Sequence, residues 1–251
     1  MFGTKRQVRL PQVRRRAGES LRERREKTVD ENLLPMISVL FVFWFIYFTQ
    51  QLQQWTHSSP QPRLWLSIAI IATLVATIWF WRLIPIARRF NRGEIGERHV
   101  ADVLEELRAD GYKPIHDIVG DRFNVDHILV GPGGVFAIET KYRSGEGVIT
   151  FRNGETLLVG GFPEEKDCLK QARGSAKAVS QLIAENCARR EWVTPIVVFV
   201  GDWKIRNDWH NSDARVFTPD GLLRYIRNQE PRLISGEIEL MASHLERSAR
   251  A

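Results

Sequence analysis

Asp126, Glu139 and Lys141 stand in the stretch "DHILVGPGGVFAIETK", residues 126–141. Two carboxylates and one amine are the groups needed to hold a divalent cation and to steady charge on a reacting phosphate. Their spacing decides whether they can meet. Four apolar positions lead into a Gly/Pro turn and four lead out, which reads as a β-hairpin. With the turn centred on Pro132-Gly133, Asp126 falls directly opposite Glu139. Residues opposed in this way hold their Cβ atoms about 4.5–5.5 Å apart on one face. Lys141, two positions beyond Glu139, points to that same face. A three-residue loop breaks this register, so the facing pair is conditional on the turn.

Like charges opposed across a ladder repel. The pair must therefore share a proton, bind a cation, or splay apart at a twist or bulge. Mg²⁺, or Mn²⁺ in its place, resolves the conflict, because it takes one or two carboxylates plus water and substrate phosphate. The "GPGG" turn is not a phosphate loop: a strand follows it, not a helix N-terminus.

These residues need a domain to position them. From about Phe90 onward the chain reads as α/β (α+β). "GEIGERHVADVLEELRADG" is a helix with Val100, Val103, Leu104 and Leu107 at 3,4 spacing and Gly111 as its stop. "KPIHDIV" is a short strand. The hairpin above follows, then a second one, "GVITFRNGETLLV", turning at Asn153-Gly154. "DCLKQARGSAKAVSQLIAENC" is a helix. "TPIVVFVG" is a run suited to a buried central strand. "ARVFTP" adds a strand, "DGLLRYIRN" a helix, and residues 236–251 a C-terminal helix or tail. The domain spans 90–235.

The N-terminal third is of another kind. Residues 1–32 are arginine-rich with no clean periodicity, so disorder is expected, with a short charged helix within 18–30. Residues 33–49, "LLPMISVLFVFWFIYFT", carry no charge over roughly 17 positions, near the lower limit for a membrane helix. A polar loop, 50–63, leads to a second apolar run, 64–86, in which Arg82 can snorkel. A cleaved signal peptide fits poorly, because the charged lead is long and no small-x-small site follows. A buried soluble hairpin fits poorly too, because neither segment has a polar face. Arginines flank both runs (Arg82, Arg88, Arg89 and Arg92 after the second), while the loop between holds only Arg63. The positive-inside rule then puts both termini in the cytosol of a multi-pass protein of the cell (inner or plasma) membrane.

The chain has a formal charge of +6 and a pI of about 9.6. Nucleic acid or an anionic membrane surface suits that balance. The N-terminal arginines have three readings: they set topology, they contact anionic lipid, or they bind nucleic acid non-specifically. Cys168 and Cys187 fall in no CxxC or His-spaced cluster, so neither a disulfide framework nor a structural zinc is expected.

Asp126 with "ETK" at 139–141 resembles the D…ExK signature of the PD-(D/E)xK nuclease superfamily. The ordered set "GEIGERHVADVL", "HDI", "VDHILVGPGGVFAIETKYRSGEGVI" and "KQA" resembles the nuclease-related domain, NERD, from about Gly93 to about Ile226. The resemblance implies a restriction-endonuclease-like mixed sheet flanked by helices, and Mg²⁺-dependent phosphodiester cleavage, DNA more than RNA. By resemblance Asp126, Glu139 and Glu97 bind metal, Lys141 is the catalytic lysine and Gln171 contacts the site's edge. Glu94, three residues before Glu97, is a second acid for the same place. Members often carry a tryptophan in the second hairpin and Asn-Pro before the glutamine. "ETLLVGGFPEEKDCLKQ" has neither, so the start of that helix is expected to differ.

Several residues have bland readings beside functional ones. Glu97 also suits a helix N-terminus through the dipole. His127 should face away from Asp126 and is read as structural; His116-Asp117 is a candidate pair just behind the site, with a strand-end cap the favoured reading. Arg143, Arg152, Arg173 and Lys177 are candidates for phosphate contact, and "GDWKIRNDWH" (201–210) for base stacking. The chain is thus expected to be a membrane-anchored cytosolic nuclease-like protein. The alternative is a non-catalytic module that binds nucleic acid or protein at the membrane.

Overall fold

A computed structural model describes residues 17–55, 62–120, 123–152, 156–164, 167–206 and 212–248. The arginine run 1–16, the Asn153-Gly154 turn and all of "NDWH" (207–210) lie outside these. By its contacts the chain divides into two units, Ser20–Arg92 and Gly93–Ala251 with Met1–Glu19.

The first unit is helical. Helix α1 runs Glu19–Trp55 and α2 runs Pro62–Glu106, the latter continuing into the second unit. Both are long and apolar enough to cross a membrane, and 0% and 11% of their most apolar windows are buried. Phe41, Phe48, Ile71 and Trp81 are among the apolar side chains turned outward. α1 starts well before the apolar run, so the charged helix expected within 18–30 is present and is continuous with the apolar run rather than separate from it. Its charged first turns are tied by Arg22–Glu26 at 2.9 Å and Lys27–Glu31 at 3.7 Å, both at i,i+4 spacing, which favours helix without any apolar stripe.

The second unit is a seven-stranded mixed sheet flanked by helices. After α2 a 3₁₀ turn, Leu107–Asp110, ends at Gly111. Strands β1 (Lys113–Val119), β2 (Asn124–Gly131), β3 (Gly134–Arg152), β4 (Thr156–Val159) and β5 (Phe162–Pro163) pair antiparallel in that order. Helix α3 (Cys168–Cys187) then crosses over to β6 (Val193–Ile205), which lies parallel to β3, and β7 (Arg215–Phe217) lies parallel to β6. Helices α4 (Pro219–Arg227) and α5 (Ser235–Ser248) close the chain.

The hairpin register follows the sequence expectation: Gly131 pairs Gly134 and the ladder runs to His127 opposite Ile138. The turn centre is therefore Pro132-Gly133. Its Pro132 carbonyl accepts from the amides of Arg232 (2.7 Å) and Leu233 (3.0 Å), and Gly133 N–H donates to the Tyr112 hydroxyl (3.2 Å). The turn is a packing element.

Two elements differ from the sequence expectation. β3 is one strand of 19 residues, serving both hairpins, with a register shift between Tyr142 and Glu146. And α5 is no separate tail: Ile238, Met241, Ala242 and Leu245 complete the core formed by Ile115, Ile128, Val135, Val179 and Ile183. On the opposite side of the sheet, Val100 and Leu104 of α2 and Leu222 and Ile226 of α4 pack over Leu129, Phe136 and Ile138. Alternation along β3 thus places Ala137, Glu139 and Lys141 toward α3, and Ile138 and Thr140 toward α2.

Candidate active site

The hairpin ladder stops one step short of Asp126 and Glu139. There the Asp126 carboxylate takes over: its Oδ2 accepts from the Thr140 amide at 2.8 Å. Glu139, 3% exposed, accepts through Oε1 from Lys141 Nζ (2.7 Å) and from Gln171 Nε2 (2.5 Å). Gln171 Oε1 in turn accepts from Lys141 Nζ at 2.9 Å. Despite the altered approach to α3, Asp167 caps that helix by accepting from the Lys170 amide, and Gln171 reaches the hairpin one turn later.

Glu97 arrives from α2. Gly96 lets the helix pack closely on β3: a Cβ at that position would stand 3.2 Å from Tyr142 Cβ and 3.5 Å from Thr140 Cγ2. Glu97 is buried, and its carboxyl is pushed up to about 8 by burial, then by the negative charges of Asp117 and Glu139; Gly18 and Lys141 pull the other way. Asp126 is pushed well above the usual carboxylate range, by burial first and then by Glu139 and Glu97. Glu139 is raised by burial, against the pull of Lys141. Low dielectric and like charges disfavour ionisation together.

The structure therefore brings together Glu97, Asp126, Glu139, Lys141 and Gln171. Glu94, buried on the same helix, pairs with Arg98 at 2.7 Å. His127 faces away from Asp126, as expected. Its Nδ1 lies 2.9 Å from His116 Nδ1 and its Nε2 lies 3.2 Å from Thr140 Oγ1, while His116 Nε2 lies 3.3 Å from Glu105. Burial holds both imidazoles below their usual pKa, so this chain is neutral at pH 7. Arg143 pairs with Glu164, and Trp203 donates to the Arg143 carbonyl at 3.2 Å, which ties both side chains into the fold.

Two further residues join the site: Asp117, for which a strand-end cap is the favoured sequence reading, and Gly18, which the sequence does not mark. Asp117 lies between His116 and Ile118, which pair His127 and Val125, so it sits level with Asp126 on the adjoining strand. It adopts φ 53, is 1% exposed, and is the largest charged neighbour acting on Glu97. A buried acid in a strand pattern was the available signal; the backbone twist that turns it to Glu97 has none. Gly18 donates its backbone N–H to Glu97. Its φ is +77, and a Cβ there would stand 3.0 Å from Glu94 Cγ. Nothing local in an arginine-rich tail marks such a contact.

The donor set suits a hard divalent cation. The Oε2 atom of Glu139 is buried and accepts no hydrogen bond. Its neighbour across the hairpin, the Asp126 carboxyl, bonds it only when one of the two holds a proton. A cation with oxygen preference would answer both, with Asp126 and Glu139 as ligands and Glu97 close by. Among the described residues no group of three or more acidic, histidine or cysteine side chains is placed to hold a metal ion together. Mg²⁺ does not need one, since it keeps several waters.

Comparison with curated proteins finds no match, and comparison with solved structures finds none. Residues 92–200 match the family model of the nuclease-related domain. That interval contains α2's last turns, the β2–β3 hairpin, Gln171 and β6 as far as Val200, and so every carboxylate-site residue named above except Gly18. The PD-(D/E)xK superfamily placement is consistent with this match. Over residues 92–200 the chain is thus similar to the nuclease-related domain family, NERD.

Proposed function

We propose that this domain hydrolyses phosphodiester bonds in nucleic acid, DNA in preference to RNA, using Mg²⁺ or Mn²⁺ held by Asp126 and Glu139 with Glu97 nearby. The observation that carries the reading is the Glu139 carboxylate: one oxygen fixed by Lys141 and Gln171, the other buried and unbonded. Opposed buried acids with raised pKa values are costly to the fold, and a cation in use repays that cost.

The bound ion supplies a more acidic water and shares the negative charge of the phosphate. The chain's own groups do the rest. Gln171 holds Lys141 and Glu139 in a fixed mutual arrangement, bonding one through Oε1 and the other through Nε2. Lys141 places its ammonium beside the carboxylates, where it offsets charge building on phosphate oxygens. The Thr140 amide fixes the rotamer of Asp126. Glu97, raised to about 8, changes protonation near working pH and is suited to trade a proton with water.

We further infer that α1 and α2 anchor the domain to the cell membrane with both flanks cytosolic. Two long apolar helices with outward-facing side chains and arginine-rich flanks support this. The rival reading is a non-catalytic module. It is favoured by the Lys141–Glu139 pair, which satisfies half of the carboxylate without any metal.

Plasmid nicking by the full-length chain in detergent, with and without Mg²⁺ or Mn²⁺, separates the two. Metal-dependent nicking that Asp126→Asn and Lys141→Ala abolish supports the enzyme. No nicking, or equal nicking by the variants, overturns it.

A further inference from the structure

A groove of about 370 Å³ opens beside α3, outside the carboxylate site. Its walls are the α3 face carrying Arg173, Lys177 and Gln181, together with Arg190, Trp192 and Pro195 at the start of β6. Three of these six residues are cationic. The one acid in the lining, Asp213, is tied to Arg173 at 2.7 Å. Lys177 and Arg190 are exposed and make no ion pair among the described residues. Trp192 is 61% exposed, although it directly precedes the mostly buried first part of β6, Val193–Val200. The groove thus presents mobile cations around a bare aromatic face.

The groove lies across α3 from the carboxylate site. Gln171 touches Lys141 and Glu139, and Arg173, two residues on, leaves the helix about 200° around from it. Val193 pairs with Val135, while Phe199 pairs with Lys141, so the tryptophan end lies six positions back along β3, about 20 Å from Lys141 at strand rise. From Arg173 to Ala184 the groove runs about 17 Å along α3, room for a few nucleotides of a single strand.

We propose that this groove binds a single strand of nucleic acid, with a base stacked on Trp192 and phosphates at Arg173, Lys177 and Arg190, as a binding surface separate from the carboxylate site. Charge complementarity selects the occupant: an anionic chain with planar apolar faces uses both the cations and the tryptophan. Binding in the groove does not rest on the nuclease reading.

The test is fluorescence anisotropy of full-length protein in detergent with EDTA present, so that no cleavage intervenes. The probes are labelled oligo-dT and oligo-rU of 20 nucleotides, a 20-base-pair duplex, and poly-glutamate of similar charge. The expected result is tighter binding of the single strands than of the duplex or poly-glutamate. Trp192→Ala should weaken binding about 5- to 100-fold, with Trp192→Phe restoring most of it. Lys177→Ala and Arg190→Ala should each lower the slope of log affinity against log salt by about one. The ratio of oligo-dT to oligo-rU affinity tells the two strand types apart. Unchanged affinity in Trp192→Ala and Lys177→Ala overturns the proposal, as does no strand binding by the wild type. Poly-glutamate bound as tightly as DNA also overturns it, in favour of an acidic protein partner. Nicking with unaltered strand binding in the groove variants would remove the groove alone. Groove-dependent binding without nicking would remove the nuclease reading alone.

Discussion

At one level of the β2–β3 hairpin, the two faces carry buried polar residues under opposite conditions. Toward α2, His127 is wholly enclosed, yet both its ring nitrogens have partners in His116 and Thr140. Toward α3, Asp126 and Glu139 are equally enclosed, yet they oppose each other, and one Glu139 oxygen bonds nothing. Burial is the same on both faces; satisfaction is not. The imidazole face solves its electrostatics with its own neutral hydrogen bonds, which is the signature of structure. The carboxylate face leaves a deficit of positive charge that the chain does not fill, and only such a deficit points outward to a ligand.

Substitutions should separate the faces. The largest effect belongs to the carboxylate side: Lys141→Ala should cut metal-dependent nicking by about 10²–10³-fold, the size of losing one charge-stabilising donor. Its thermal midpoint should stay within a few degrees of wild type. If the variant instead unfolds and retains specific activity per folded molecule, the faces are alike and both are structural.

The pH dependence of stability should divide them next. Glu97 is raised in the folded state from 4.5 to about 8. A raised acid binds its proton more tightly when folded, so its contribution is fully present below pH 4.5 and is lost as pH rises through about 8. Metal-free protein should therefore lose thermal stability across that window. Glu97→Gln should flatten the decline, as should millimolar Mg²⁺. A wild-type midpoint independent of pH would remove the electrostatic deficit from the account.

On the imidazole side, His127→Ala leaves the His116 ring nitrogen and the Thr140 hydroxyl without a buried partner. A cost of about 2 kcal/mol is expected, read as a drop in urea midpoint. Nicking rate at saturating metal should change less than fivefold. The smallest effect is at the rim: Gly18→Ala, at φ +77, should cost about 1 kcal/mol and should shift the pH window of Glu97. An unshifted window would mean that the substitution leaves the backbone amide at this position, which alanine retains, in place beside the carboxyl.

Much of this arrangement was legible in the sequence because it is local. A two-residue turn fixes the register of everything that follows, so Pro132-Gly133 sufficed to bring Asp126 near Glu139 and to send His127 the other way. The 3,4 spacing of Val100, Leu104 and Leu107 similarly set the buried face of the helix carrying Glu97. What escaped was backbone behaviour that has no periodicity. Asp117 reaches Glu97 through a positive φ that the pattern "KPIHDIV" does not announce. The sequence reads as two separate hairpins, while β3 runs through both and absorbs the junction as a register shift between Tyr142 and Glu146. The spacing of Ile238, Met241, Ala242 and Leu245 was visible, but its docking into the main core depends on surfaces distant in sequence.

The parallel pairing of β3 with β6 has a consequence for the order of folding. The motif residues 126–141 are contiguous, and their hairpin can close in microseconds. Glu139 and Lys141, however, lie opposite Val197 and Phe199, on a strand that is translated much later and must cross over through α3 before it can pair. Such non-local contacts form slowly. A nascent chain that ends before Val193 carries the whole D…ExK signature and no enclosed site. The arrangement delays the burial of like charges until the entire domain is present to bear it.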